Sequence, residues 1–208
     1  MSRAAARPLA AVLLAAACTS CSLLARRLPV DAGFWFEPLT FQSVELGGSL
    51  TAEEIKRIES VARSELAEAF RGLAVTLSDR RDARYTVRVT QEIRDLRFKR
   101  SVGVAGQSRA IAGFGGAGAV SFYFLASSAM AYAPAGADRA TLVEAIGRGV
   151  GRTAVHEFAH QLLPTAPIHD SADEDSYEFR FATRRAQFFG PMHWDLARPL
   201  LQQRIADR

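Results

Sequence analysis

The four histidines of this 208-residue chain, His156, His160, His169 and His193, all fall within its last 53 residues, and two of them frame the stretch His156-Glu157-Phe158-Ala159-His160. On a helix, residues four apart lie one turn above each other on one face, so both imidazoles can reach a single ion at a Zn–N distance of about 2.0–2.1 Å. Glu157 then stands beside the first ligand without entering the coordination shell. A carboxylate so placed can act as general base on a water that the metal has acidified towards a pKa of about 7, and can later deliver the proton to a leaving amine. With four His and twelve Glu in 208 residues, chance supplies such a match on the order of 0.004 times per chain.

A catalytic zinc takes three protein ligands and keeps a fourth position open. His169 is the expected third ligand: Pro164 stops the helix, and Pro167 stiffens the loop that must bring the chain back to the ion. Asp170, next to His169, is the expected hydrogen-bond partner that orients an imidazole. The acidic run Asp170, Asp173, Glu174, Asp175 and Glu178 has a second reading, as a solvated loop. No serine or cysteine nucleophile with an assignable base is present: both cysteines, Cys18 and Cys21, lie at the start of the chain. Their position also leaves the folded part without thiolate ligands, so His and carboxylate must hold any metal.

The elements that have to position these residues are read from periodicity. Residues 39–46 are expected as a first strand. Thr51 and Glu54 form a capping box, and Ile55, Ile58, Ala62, Leu66, Ala69 and Phe70 recur at helical spacing up to Gly72. Leu73, Val75 and Leu77 alternate as a strand, and so do Tyr85, Val87 and Val89. A Gly-rich stretch, Val102–Gly118, runs into the strand-like Ala119–Leu125. Its Gly113-x-Gly115-x-x-Gly118 lacks the preceding strand and following helix of a dinucleotide loop. Asp138 caps a long helix with a buried stripe of Leu142, Val143, Ile146, Val150, Val155, Ala159 and Leu162, and this helix carries the histidine pair. Gly147, Gly149 and Gly151 within it are expected to admit close approach of the sheet. A last helix is expected over Trp194–Ala206.

The uncharged stretch between Arg109 and Asp138 is long enough to cross a bilayer, but its glycines, serines, Pro134 and strand-type residues favour a sheet and loop. The net charge of +4 includes Arg3 and Arg7 of the leader, and the remaining basic residues are dispersed, which argues against a nucleic-acid partner. Arg3 and Arg7, the apolar Leu9–Ala17 and the small residues before Cys18 follow the export pattern. Residues 1–17 are thus expected as a signal peptide, 18–38 as a tether and 39–208 as one α/β domain with a mixed, twisted sheet, two long helices and a cleft along the Gly-rich strand, to whose edge an extended peptide substrate could add.

Two resemblances extend this reading. Ala15-Ala16-Ala17-Cys18 resembles the lipobox of bacterial lipoproteins, which implies acylation of Cys18, with Cys21 the rival, a lipid anchor in the membrane, and, with Thr19 following, the outer membrane; secretion after cleavage near Ala17 is the alternative. His156-Glu157-x-x-His160, the later His169 and Gly190-Pro191-Met192-His193-Trp194 together resemble the metzincin clan of zinc peptidases. That likeness implies a zincin fold with a short C-terminal subdomain, zinc held by His156, His160 and His169, Glu157 as the base, and Met192 as a hydrophobic floor on a Met-turn. Leu163 stands where the clan has Gly, and His169 comes three residues later than its third histidine. A gluzincin-like site, completed by Glu174 or Glu178, remains open at this point, as does a non-catalytic zinc-binding envelope lipoprotein; such a structural site has no use for Glu157.

Overall fold

The computed structural model describes residues 27–95, 100, 101, 103–111, 115–166, 168–181 and 184–208. The first element is β1 (Val30–Phe36), in a stretch expected to be tether. The correction has a physical cause. β1 is hydrogen-bonded on both sides within the sheet, and its residues are buried on both faces, Phe34 completely. A strand covered on both faces has no period-2 alternation to read. The strand expected over 39–46 reduces to a short ribbon, β2 (Gln42–Ser43) with β3 (Gly48–Ser49).

α1 (Ala52–Ala69) begins at the expected capping box: the Glu54 amide donates to Thr51 Oγ1 at 3.2 Å and the Thr51 amide to Glu54 Oε2 at 2.8 Å. It buries Ile58, Ala62, Leu66 and Ala69 on one face. β4 (Val75–Ser78) and β5 (Tyr85–Thr90) follow, then the small ribbon β6 (Arg94–Asp95) with β7 (Arg100–Ser101), then β8 (Gly106–Ile111) and β9 (Gly115–Ser121). The main sheet has the order β4-β1-β5-β9-β8; every neighbouring pair is parallel except β8 with β9. The chain is therefore a mixed α/β fold on a five-stranded, mostly parallel sheet, with β8 as its antiparallel edge.

Phe122–Leu125, expected to continue the strand, opens a helix, α2 (Phe122–Tyr132). The aromatic residues suggested a strand, but Phe122, Leu125, Ala126, Ala129 and Met130 are the buried set, and their spacing is helical. α3 (Arg139–Leu162) starts at Asp138, whose side chain accepts from the Thr141 amide, and all seven residues of its expected stripe are buried. Its glycines serve a different neighbour from the one expected. A Cβ on Gly147 would lie 2.7 Å from Val61 Cβ, and one on Gly151 would lie 2.6 Å from the Ala62 carbonyl, so these two positions let α3 press against α1 rather than the sheet. α4 (Ala186–Phe189) and α5 (Ala197–Arg204) complete the chain, α5 being shorter than expected. Among the described residues no helix is long and apolar enough to cross a membrane.

Candidate metal centre

α3 carries His156 and His160 on its last two turns and ends at Leu162, after which the chain doubles back and returns His169. The three imidazole rings gather with centroids 4.6 Å (His156–His160), 4.8 Å (His156–His169) and 4.8 Å (His160–His169) apart. Their ligating nitrogens all lie within 4.8 Å of one another, a group able to hold a metal ion.

The protonation of the group suits that role. His156 Nδ1 lies 2.8 Å from the Tyr177 carbonyl, and a carbonyl only accepts, so Nδ1 carries the hydrogen and Nε2 keeps its lone pair. That bare nitrogen lies 3.0 Å from His160 Nε2. Burial pushes His156 down to about 3 and His160 down to about 4, so both rings are neutral at neutral pH, the state in which imidazole binds metals.

Glu157 is turned off the ligand side into a slot against the edge strand. It is 5% exposed and lines the cleft, and no described residue donates a hydrogen bond to its carboxylate. The slot exists because residue 106 is glycine: a Cβ there would lie 2.2 Å from Glu157 Oε1. Burial pushes the Glu157 carboxyl up to about 8. A cation beside it acts in the opposite direction, towards the ionised form.

The helix is pinned to the sheet next to this slot. Ser108 Oγ donates to the Glu157 carbonyl at 3.1 Å and accepts from Gln161 Nε2 at 3.0 Å. Gln161 also exchanges two hydrogen bonds with the Thr86 backbone, at 3.0 and 3.2 Å. Gly116 makes room for it, since a Cβ there would meet Gln161 Cγ at 2.4 Å. The Gly-rich stretch thus serves the packing of α3 on β8 and β9.

Above the site lies a cleft of about 760 Å³, floored by α3, with β8 on one side and Tyr177, Phe179, Arg180, Phe181 and Arg184 on the other. The Ser121 amide donates to the Ala105 carbonyl, and the antiparallel register continues from there. Alternation then turns the N–H and C=O groups of Gly106, Ser108 and Ala110 away from β9, towards the open edge.

No family model matches this chain, and no curated protein or solved structure matches it. The reading of the centre therefore rests on its own geometry.

That geometry sorts the remaining candidates. Glu178 is completely buried, and its carboxylate accepts from the amides of Asp195 at 2.6 Å and Leu196 at 3.0 Å and from Ser176 Oγ at 3.3 Å. Those bonds tie down the approach to α5 and take Glu178 out of the ligand set. Glu174 is exposed; its carbonyl accepts from Arg184, and its carboxylate favours the charge of the same arginine from a distance. Asp170 is exposed and makes no hydrogen bond or ion pair among the described residues, so the expected imidazole partner is replaced by the Tyr177 carbonyl. Met192 is half-buried against the core, 3.9 Å from Arg184 Nη2, and does not line the cleft. Its neighbour His193 bonds through its backbone to Asp175 and Tyr177, so the Gly190–Trp194 segment backs the strip that orients His156. The His193 ring pairs with Asp173 at the surface. Pro167, Cys18 and Cys21 lie outside the described residues. Sequence reasoning missed the Tyr177 carbonyl, which as a backbone group leaves no mark on residue type, and Gly106, whose only signal was the glycine content around it.

Proposed function

We propose that this chain is a zinc-dependent metallopeptidase of metzincin-like build, exported to the cell envelope and anchored there through a lipid on Cys18. The observation that carries the reading is the pairing of three converging imidazoles with an adjacent carboxylate, Glu157, that opens onto the cleft and accepts no hydrogen bond from the described residues. A carboxylate that faces a cleft beside a candidate metal site, with its pKa raised by burial, is placed for a reacting molecule.

His156, His160 and His169 would hold the ion, the Tyr177 carbonyl fixing the His156 tautomer. Zinc, when bound, supplies Lewis acidity to water and to a peptide carbonyl. Glu157 takes the proton of the attacking water, and as the C–N bond breaks it returns that proton to the departing amine. The outward groups of Gly106, Ser108 and Ala110 pair with an extended peptide laid along β8, which brings one carbonyl over the histidines.

The test is metal content by mass spectrometry beside cleavage of a peptide library. One zinc per chain is expected, kept in Glu157→Ala with cleavage reduced at least 10³-fold, on the scale of losing a principal catalytic group. His169→Ala is expected to weaken zinc binding. Zinc without cleavage would replace the peptidase by a zinc-binding envelope lipoprotein, and a chain that takes up no zinc would overturn both.

A further inference from the structure

The cleft carries an imbalance of charge that metal chemistry does not account for. Among the described residues lining it, Glu157 is the one acidic group, whereas Arg109, Arg152, Arg180 and Arg184 all line it. Arg152 is neutralised by Glu65, at 2.8 and 3.3 Å. Arg184 makes no contact ion pair among the described residues: it is 7% exposed, its guanidinium donates to the carbonyls of Glu174, Phe181 and Ser176 and to Met192 Sδ, and the carboxylates of Glu174, Asp175 and Asp173 act on it only from a distance. Arg180 is exposed and makes no ion pair among the described residues; its guanidinium lies 4.7 Å from the Phe181 ring.

These residues form one surface. Arg180, Phe181, Phe179 and Arg184 touch in succession, Phe179 and Phe181 edge-on at 5.8 Å and Arg184 over Phe179 at 4.9 Å. Phe181 is 53% exposed, an unusual position for a phenylalanine, and faces the cleft. Buried charges are ordinarily held in a contact pair, so a buried arginine hydrogen-bonded only to carbonyls and a thioether, with Glu174, Asp175 and Asp173 at a distance and none of them lining the cleft, adds positive potential to that cleft. The surface also has a fixed relation to the metal centre. Arg184 Nη2 holds the Ser176 carbonyl at 2.7 Å, and the next carbonyl, that of Tyr177, holds His156. A group lying on the arginines is therefore about one residue along the wall from the ion.

Resting on the peptidase reading above, we infer that the cleft selects substrates bearing a carboxylate close to the scissile bond, with Arg180 and Arg184 as the specificity-determining residues and Phe179 and Phe181 as their apolar flank. The carboxylate belongs either to an Asp or Glu side chain or to the peptide's own C-terminus; the recognition chemistry is the same.

The experiment uses the zinc-loaded chain and labelled peptides matched in sequence, carrying Glu or Gln at each position around the cut site, with free or amidated C-termini. Cleavage is read as the ratio of kcat/KM, and binding by fluorescence anisotropy on zinc-loaded Glu157→Gln, so selectivity is measured even where nothing is cut. A Glu over Gln preference of about tenfold is expected, as for a charge-assisted hydrogen bond. If the source is the chain terminus, amidation removes the preference instead. Arg184→Gln removes four loop contacts and risks the fold; Arg180→Gln is exposed and does not. Arg180→Gln is expected to bring the ratio towards one, and Arg180→Glu to turn it towards Lys peptides. Equal binding and equal cleavage of the Glu, Gln and amidated peptides would overturn the inference while leaving the peptidase intact. Zinc with no cleavage but a preserved carboxylate preference in binding would overturn the peptidase and leave the subsite.

Discussion

Glu157 and Glu178 are both buried glutamates within the same C-terminal half, yet they are buried in opposite ways. Glu178 has Asp195, Leu196 and Ser176 as donors and holds a wall together. Glu157 has none among the described residues and stands in a slot cleared by a glycine. The contrast extends to the regions that hold them. Glu157 sits where α3 packs against β8, in a region in which α3 also presses on α1, with glycines setting both spacings. The wall from Ser171 to Leu196 has little regular structure and is held by side chains bonded to backbone, Arg184 and Glu178 above all. Two of the three proposed ligands are therefore set by packing, and the third, with the group that orients His156, by a polar web. A change in the first region should act on the whole fold or on the base, and a change in the second on the metal.

The sharpest way to break the first region is Gly151→Val. The new side chain meets the Ala62 carbonyl, and because a backbone atom cannot move aside, α1 and α3 must separate. A loss of about 3 kcal/mol is expected in urea unfolding, at the upper end of overpacking costs. An unchanged midpoint would mean that this helix contact is softer than its geometry.

Gly106→Ala tests the slot itself. The methyl would sit 2.2 Å from Glu157 Oε1 and 2.9 Å from Thr153 Cγ2, so the carboxylate must shift. Zinc content is expected to hold while kcat/KM falls about 10²-fold, the scale of a 1 Å misplacement of a catalytic group. Combined with Glu157→Asp, whose carboxylate is shorter, the two losses should be far from additive. Strict additivity would show that Gly106 does not act through Glu157.

In the wall, Glu178→Gln keeps the shape and removes the charge that three donors converge on. The expected effects are a loss of about 2 kcal/mol in stability and zinc binding weakened about tenfold, since the Tyr177 carbonyl that orients His156 is one residue away. Titration with a competing chelator reads the second effect. Normal zinc affinity in a destabilised variant would separate wall from metal and break the comparison.

The division between the regions also governs what was legible in the sequence. Where packing rules, pattern speaks: the α1 capping box, the stripe of α3, the alternation of β5 and the histidine pair are all written in residue spacing. It failed where burial is two-sided, as in β1, and where aromatic content opposed the true period, as at Phe122–Leu125. In the wall the determinants are carbonyls and amides. Glu178 read as a possible ligand because a carboxylate near histidines has that chemistry, and only the three-dimensional path shows its oxygens already occupied. His169 was legible by type but not by distance, since its return depends on a loop that no period describes.

The smallest expected effect lies at the far end of the packed region. Arg139 draws Glu54 down to about 2, with the Thr51 amide adding to the shift, and Arg139 also donates to the Ser49 carbonyl at 2.7 Å, joining the starts of α1 and α3 to the β2–β3 ribbon. Glu54 ionises near 4.5 once unfolded, so the folded pKa is the lower one. Its contribution is therefore fully present above pH 4.5 and is lost as the pH falls from there towards about 2. Glu54→Gln is expected to cost about 1 kcal/mol at pH 7, the size of a cap or a partly exposed ion pair. The gap to the parent chain should close as the pH falls through that window, while zinc affinity at pH 7 stays unchanged. If the gap were instead constant with pH, the residue would act through side-chain shape rather than charge. If zinc affinity moved with it, the packed region would transmit strain along α3 to the histidines, and the two regions would not be separable.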